Sequence, residues 1–105
     1  MTTVFVQVWR YRVRPASVDR FVEHYGPEGT WARLFSGGDG YRGTLLLRDP
    51  ADSAVFMTID SWESREHQDA FLERHRDAYR ALDEECEALT ESEEHLGGYE
   101  SIADI

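Results

Sequence analysis

The segment at residues 3–13, TVFVQVWRYRV, constrains the fold most, because its side chains alternate with a period of two. This period is typical of a β-strand, in which successive residues point to opposite faces of a sheet. Both faces are partly apolar, with Val4, Val6 and Val8 on one and Phe5, Gln7, Trp9, Tyr11 and Val13 on the other. The pattern therefore predicts a first strand whose sheet needs cover on both sides.

The pattern of apolar residues in the rest of the chain predicts the order of the strands and helices. It indicates two helical pieces at 16–25 and 28–35, strands at 41–49 and 54–62, one long helix at 62–89 and a weaker final strand at 99–105. This order predicts an α+β fold, a ferredoxin-like βαββαβ domain with an antiparallel sheet. Its helices cover one sheet face, so the apolar second face predicts a partner.

Charge and composition narrow the classes of function. The 105 residues hold 21 acidic and 11 basic side chains, a net charge of -10. Such a chain repels phosphate backbones and anionic membranes, so we expect neither nucleic acid nor membrane as a partner. No apolar run approaches the roughly 18 residues of a membrane span. The single cysteine, Cys86, and the lack of an export signal favour the cytoplasm.

Two segments carry a family resemblance. WESREHQDAF at residues 62–71 is similar to the Trp-Glu-Ser start of the second helix in the antibiotic biosynthesis monooxygenase superfamily, and residues 25–49 resemble a little-described branch of it. The likeness covers most of 4–102. It implies one such domain over 1–105 and a homodimer, a dimeric α+β barrel in which the open sheet faces of two subunits pack together. It also implies a ligand pocket between sheet and helices.

The haem-degrading branch of this superfamily uses an Asn on the first strand and a Trp and a His on the second helix. This chain contains no Asn, and alignment on the Trp-Glu-Ser motif puts Phe71 and Ala81 where the Trp and the His would stand. His75 is left as a displaced candidate ligand. The resemblance therefore argues against haem degradation, and we expect no cofactor.

Cofactor-free oxygenases of the superfamily remove a proton from a phenol or quinol and let the anion react with oxygen. That chemistry requires a base, a group that stabilises the anion, and a dry pocket. The candidate base is His75, and the candidate anion-stabilising residue is Arg12. The candidate walls are aromatic, namely Trp9, Tyr11, Tyr25, Trp31 and Phe71.

Each candidate also has a structural interpretation. A histidine or aromatic residue on an apolar helix face is usually part of the core. The other histidines, His24, His67 and His95, are interpreted as wholly or partly exposed, and none has metal-site spacing, so no metal is expected. Two functions remain: a cofactor-independent monooxygenase-like protein that binds a small aromatic or quinol-like molecule, and a non-catalytic dimeric binding module of the same fold.

Overall fold

The computed structural model describes residues 3–102. Its four strands are β1 (Phe5–Val13), β2 (Tyr41–Arg48), β3 (Val55–Trp62) and β4 (Thr90–Glu100), and its four helices are α1 (Val18–Tyr25), α2 (Thr30–Phe35), α3 (Arg65–Arg74) and α4 (Arg76–Cys86). The strands form one antiparallel sheet in the order β2-β3-β1-β4. The predicted α+β, ferredoxin-like fold is confirmed. Within the described residues, no helix has the length and apolar character needed to cross a membrane.

The core lies between the helices and one sheet face and is largely aromatic. Trp62 and Phe21 are fully buried, and each such side chain contributes about 1.5–3 kcal/mol through burial. The shorter helices turn their aromatic residues inward, with Phe21 and Tyr25 one turn apart on α1, and Trp31 and Phe35 one turn apart on α2. Aromatic packing therefore fixes the helices against the sheet.

No helix of residues 3–102 covers the other sheet face, and we call it the open face. In the register, Val8 pairs with Ile59 and Arg10 with Met57, so the even residues of β1 share a face with the odd residues of β3. The apolar side chains of the open face are Val6, Val8, Leu45, Leu47, Met57, Ile59 and Tyr99. Leu45 remains 59% exposed and Leu47 44%. The partner predicted to cover this face stays a prediction.

The prediction of one long helix over 62–89 is wrong. Trp62 belongs to β3, and His75 separates α3 from α4 with φ -112° and ψ 27°. The N–H of His75 still bonds to Phe71 O at 2.8 Å, and its carbonyl accepts from Tyr79 N at 2.9 Å. Because the apolar spacing of three or four residues also continues through this point, the sequence pattern contains no sign of the break.

The prediction of a final strand is confirmed, but its predicted start at residue 99 is wrong. The strand β4 begins at Thr90, directly after a 3-10 turn at Glu87–Leu89, and residues 103–105 lie outside the described part of the chain. It pairs with β1 at the sheet edge, where charged side chains are tolerated. The polar run at 90–95 lacks apolar alternation, so only this pairing identifies it as a strand.

A left-handed glycine connects the loop at 36–40 to β2. Gly40 has φ +86°, and a Cβ added there would lie 2.6 Å from the ring of His67. We expect Gly40→Ala to lower the free energy of unfolding by about 1–3 kcal/mol, measured by urea denaturation. The matched control is Gly37→Ala, whose new Cβ would meet its nearest atom at an ordinary 3.4 Å. Equal urea midpoints for both variants would contradict this account of Gly40.

Candidate functional site

A cavity of about 40 Å³ lies between the covered sheet face and three of the helices. We call it the aromatic cavity. All four strands and the helices α1, α2 and α4 contribute to its lining, which consists of Trp9, Tyr11, Tyr25, Trp31, Phe35, Thr44, Thr58, Asp60, Tyr79, Asp83 and Glu93. Because residues two apart on a strand share a face, β1 presents Trp9 and Tyr11 side by side, and β3 presents Thr58 and Asp60.

The aromatic walls contact one another around the cavity. The Tyr11 ring meets that of Tyr25 edge-on, with centroids 5.0 Å apart, and lies 6.5 Å from the ring of Trp9. On the helical side, Trp31 meets Tyr79 edge-on at 4.9 Å. These geometries are favourable for aromatic pairs and leave apolar ring surface for a flat ligand.

A carboxyl group lies within this largely aromatic lining. The Thr44 hydroxyl donates to Asp60 Oδ1 at 2.7 Å. Thr44 is itself held by Tyr41, whose hydroxyl oxygen lies 2.6 Å from Thr44 Oγ1. Since Thr44 uses its proton toward Asp60, Tyr41 is the donor in that second bond. Among the described residues, Asp60 Oδ2 accepts no hydrogen bond.

Burial shifts the titration of the groups around the cavity. Desolvation raises the pKa of Asp60 to about 6, although the hydrogen bond from Thr44 lowers it. Burial also raises the pKa of Tyr11 and of Tyr25 well above the usual phenol value. These phenols therefore stay protonated at neutral pH and can donate hydrogen bonds. The pKa of Asp60 lies close to neutral pH, as the pKa of an effective general base does.

One polar atom of the cavity walls has no partner. The side chain of Trp31 is 7% exposed, and its indole Nε1 forms no hydrogen bond within the described chain. An unsatisfied buried donor of this kind costs about 1–3 kcal/mol. The Tyr25 hydroxyl and the Cys86 thiol lie close to this N–H, which lowers the pKa of both groups against the larger effect of burial.

The sequence profile of the family described as Antibiotic biosynthesis monooxygenase matches residues 4–96. The chain belongs to the antibiotic biosynthesis monooxygenase family. No curated protein matches the chain in sequence.

Solved structures of the antibiotic biosynthesis monooxygenase family share this fold. A variant of SnoaB from Streptomyces nogalater, a cofactor-independent oxygenase, is 19% identical with a TM-score of 0.78, over 100% of this chain and 98% of that one. A putative antibiotic biosynthesis monooxygenase from Nitrosomonas europaea is 14% identical with a TM-score of 0.73, over 97% and 93%. Another from Chloroflexus aurantiacus is 15% identical with a TM-score of 0.66, over 96% and 93%. These similarities show the fold.

The residues predicted as a site from the family resemblance fall into two groups. Trp9, Tyr11, Tyr25 and Trp31 come together in the aromatic cavity. The fifth predicted wall residue, Phe71, is instead buried in the core, 5.3 Å from the ring of Trp62. Four of the five predicted aromatic walls therefore surround one space in this member of the family.

The structure does not bring the two predicted catalytic residues to that cavity. His75 is half-buried, stacks on Phe71 with centroids 4.7 Å apart, and borders a separate depression with His67. Arg12 is exposed on the open face, in an ion pair with Asp52 at 3.2 Å. The sheet thus separates Arg12 from the cavity.

The prediction that His24 lies at the surface is wrong. The ring of His24 is largely buried, and its Nδ1 lies 3.0 Å from Thr30 Oγ1. His95 is exposed as expected, but its ring lies tilted against that of the cavity residue Trp9, with centroids 4.6 Å apart, and its Nε2 lies 2.6 Å from Gln7 Oε1. Within the described chain, no group of three or more metal-ligating side chains is placed to hold an ion.

Sequence reasoning missed the polar wall of the cavity. One signal was present, because Asp60 is the one charged residue in the segment AVFMTIDSW and lies on the face that also carries Phe56 and Trp62. A carboxylate there must either be paired or titrate near neutrality. Asp83 and Glu93 gave no comparable signal, since they lie among many other acidic residues of the second half.

Proposed function

We propose that the chain is a cofactor-independent oxygenase that acts on a small phenol- or quinol-like molecule held in the aromatic cavity. The observation that carries this proposal is the Asp60 carboxyl, which is held by Thr44 and has its pKa raised by burial, within the aromatic lining of the cavity. Family membership and the likeness to the oxygenase SnoaB support the reaction class. In this proposal Asp60 takes the place of His75 as base.

The chemistry begins with proton transfer. Asp60 Oδ2 accepts the proton of the substrate hydroxyl, while Thr44 holds Oδ1 in place. The phenol groups of Tyr11 and Tyr25, which burial keeps protonated, stabilise the negative charge that develops on the substrate oxygen. Burial of the site excludes water, which would otherwise stabilise the anion and slow its reaction with oxygen.

The phenolate then reacts through a ring carbon that carries a hydrogen. This carbon forms a bond to O2, and the resulting peroxide takes up the proton held by Asp60. Loss of the hydrogen on that carbon, with cleavage of the O–O bond, leaves a carbonyl group and releases water. For 1-naphthol the balance is C10H8O + O2 giving C10H6O2 + H2O, so one oxygen atom enters the quinone and the other enters water.

The volume of the aromatic cavity sets a condition on substrate entry. About 40 Å³ holds only a few water molecules, whereas a benzene ring occupies an apolar cavity of about 150 Å³. Trp9 and Tyr79 are the aromatic walls that are only partly buried. We infer that a substrate ring enters by displacing them.

We also infer that two subunits pair through their open faces. The apolar residues of that face and the family support a homodimer, because such a face is otherwise left in contact with water. Each subunit keeps its own cavity on the opposite side of the sheet.

The test uses 1-naphthol with purified protein free of added metal and flavin. Oxygen uptake should exceed that of heat-denatured protein, and with ¹⁸O₂ one labelled atom should appear in the quinone. Binding of 1-naphthol without such uptake would instead support a dimeric binding module without turnover. Neither binding nor uptake of oxygen would contradict both functions for this compound class.

His75→Leu separates the two candidate bases. Because the ring of His75 lies outside the aromatic cavity, we expect turnover within about twofold of the parent protein, whereas loss of a general base costs about 100-fold or more. Leucine is similar in volume, so the contact with Phe71 is largely retained. A 100-fold loss with an intact fold would return the role of base to His75.

A further inference from the structure

The aromatic cavity is negatively charged and opens toward a more acidic groove. Its lining includes the carboxyl groups of Asp60, Asp83 and Glu93 and, in the described chain, contains no Arg, Lys or His. An adjoining groove of about 420 Å³, which we call the acidic groove, shares Tyr25, Asp83 and Glu93 with it. A ligand that lies in both would face carboxyl groups from end to end.

The acidic groove adds further negative charge with little to offset it. Glu87 and Glu91 line it, and its one basic residue is Arg14. The Arg14 side chain lies at the surface, and its Nε donates to Ala88 O at 3.1 Å. Attraction of a cation by several carboxylates therefore outweighs the repulsion by one exposed guanidinium group.

The negative charge around the cavity also affects the pKa of its wall residues. Burial raises the pKa of Glu93, and the neighbouring Asp83 and Glu87 raise it further. Burial and the charges of Asp83, Asp60 and Glu93 raise the pKa of Tyr79 to about 12. Burial is the larger cause of both shifts, and negative neighbours add a repulsion that a bound cation would relieve and a bound anion would increase.

The aromatic rings of the cavity also favour a positively charged ligand. Trp9, Tyr11, Tyr25 and Trp31 present ring faces and edges around a small space. The face of an aromatic ring attracts an ammonium group, and enclosure by several rings is a known way of recognising amines. Carboxylates at the opening of such an enclosure strengthen the attraction.

The proposed base defines the other end of the ligand. Asp60 lines the aromatic cavity but not the acidic groove, so the hydroxyl group whose proton it accepts lies at the cavity end. Asp83 and Glu93 line both spaces and favour a cation at the end of the ligand that faces the groove.

We propose that the substrate is an aromatic molecule with an oxygen substituent at one end and a protonated amine at the other, the amine lying between Asp83 and Glu93 at the mouth of the cavity. This proposal rests on the proposed function for the site that it uses. It excludes carboxylated aromatics, which would bring negative charge to a negative site.

Three probes of similar size separate these charges: tyramine is cationic, 4-propylphenol is neutral and 3-(4-hydroxyphenyl)propionate is anionic at pH 7. We expect tyramine to bind about tenfold more tightly than 4-propylphenol, and the anionic probe to bind most weakly, by calorimetry at low salt. The preference for tyramine should shrink as salt is added. Equal or tighter binding of 4-propylphenol, or no binding of tyramine, would overturn the proposal.

A double variant identifies the carboxyl groups responsible. Asp83→Asn with Glu93→Gln should reduce the preference for tyramine over 4-propylphenol to about twofold or less. The control, Asp19→Asn with Glu23→Gln, makes the same change in net charge at exposed positions of α1 and should keep the full preference. A preference unchanged in the first double variant would overturn the assignment to these carboxyl groups.

Oxygen measurements on the same probes distinguish this proposal from the proposed function. Charge-selective binding without oxygen uptake by tyramine or 1-naphthol would retain the amine preference and reject the oxygenase. Oxygen uptake with 1-naphthol, together with tighter binding of 4-propylphenol than of tyramine, would retain the oxygenase and reject the amine preference.

Discussion

Asp60→Asn is expected to reduce the turnover of 1-naphthol at pH 7 about 100-fold or more, because it removes the base and leaves the geometry in place. The asparagine carbonyl can accept the hydrogen bond from Thr44 that Asp60 Oδ1 accepts now. The fold and the affinity for substrate should therefore be retained. An unchanged rate would remove Asp60 from the mechanism.

The same variant is expected to be more stable than the parent protein at pH 7. Burial raises the pKa of Asp60 to about 6 from an ordinary value of 3.8, so the folded state disfavours the ionised carboxylate. Replacing it with a neutral amide should raise the free energy of unfolding by up to about 3 kcal/mol. This gain in stability with loss of activity is typical of a strained functional group.

Stability and turnover are expected to depend on pH in opposite directions. Between pH 3.8 and about pH 6, the folded protein binds the Asp60 proton more tightly than the unfolded chain does, so this group makes stability fall as pH rises through that window. Turnover should change in the opposite direction and increase as Asp60 ionises. Urea denaturation and oxygen uptake measured from pH 4 to 8 check both trends.

Asp69→Asn is the matched control, because Asp69 is exposed on α3 and does not line the aromatic cavity. It should change stability by less than about 0.5 kcal/mol and leave the rate and its pH profile unaltered. A stability curve of Asp60→Asn with the same pH dependence as that of Asp69→Asn would contradict the burial argument.

Val6→Asp is expected to convert a dimer into a monomer or an aggregate. Val6 lies on the open face of β1, opposite Ser61, among the apolar side chains proposed to meet a second subunit. A carboxylate there would lose its hydration without gaining a partner, at a cost of several kcal/mol per subunit. Sedimentation velocity measures the change in mass, and circular dichroism shows whether the monomer keeps its fold.

The control for this variant introduces the same charge elsewhere. Val22 lies on α1 and is already 40% exposed, so Val22→Asp should leave the oligomeric state unchanged. A stable dimer of Val6→Asp would rule out pairing through the open face. A monomeric parent protein would reject the homodimer itself.

The sequence predicted the order of the elements and the two faces of β1 because both are recorded in local periodicity. It did not predict the break at His75, since hydrogen bonds and apolar spacing continue through that residue. It also missed the start of β4 at Thr90, because a charged edge strand depends on pairing with β1 rather than on its own pattern.

The candidate site was predictable in part for a similar reason. The family resemblance suggested aromatic pocket walls, and the fold brings Trp9, Tyr11, Tyr25 and Trp31 to one cavity. That these residues bind a ligand stays a prediction. The polar groups between them come from strands and helices far apart in sequence, and Asp83 meets Glu93 only after α4 and β4 have packed. His75 and Arg12 have suitable chemistry, but their neighbours are determined by tertiary packing.

The alternation along β1 separates two kinds of change in this protein. Trp9 and Tyr11 line the aromatic cavity, whereas Val6 and Val8, on the reverse of the same strand, lie on the face proposed to meet a second subunit. In this proposal, substitutions at odd positions of β1 change ligand recognition and leave the pairing of subunits intact, and substitutions at even positions do the reverse. Mutations at the odd positions can thus change ligand preference while the quaternary structure stays the same.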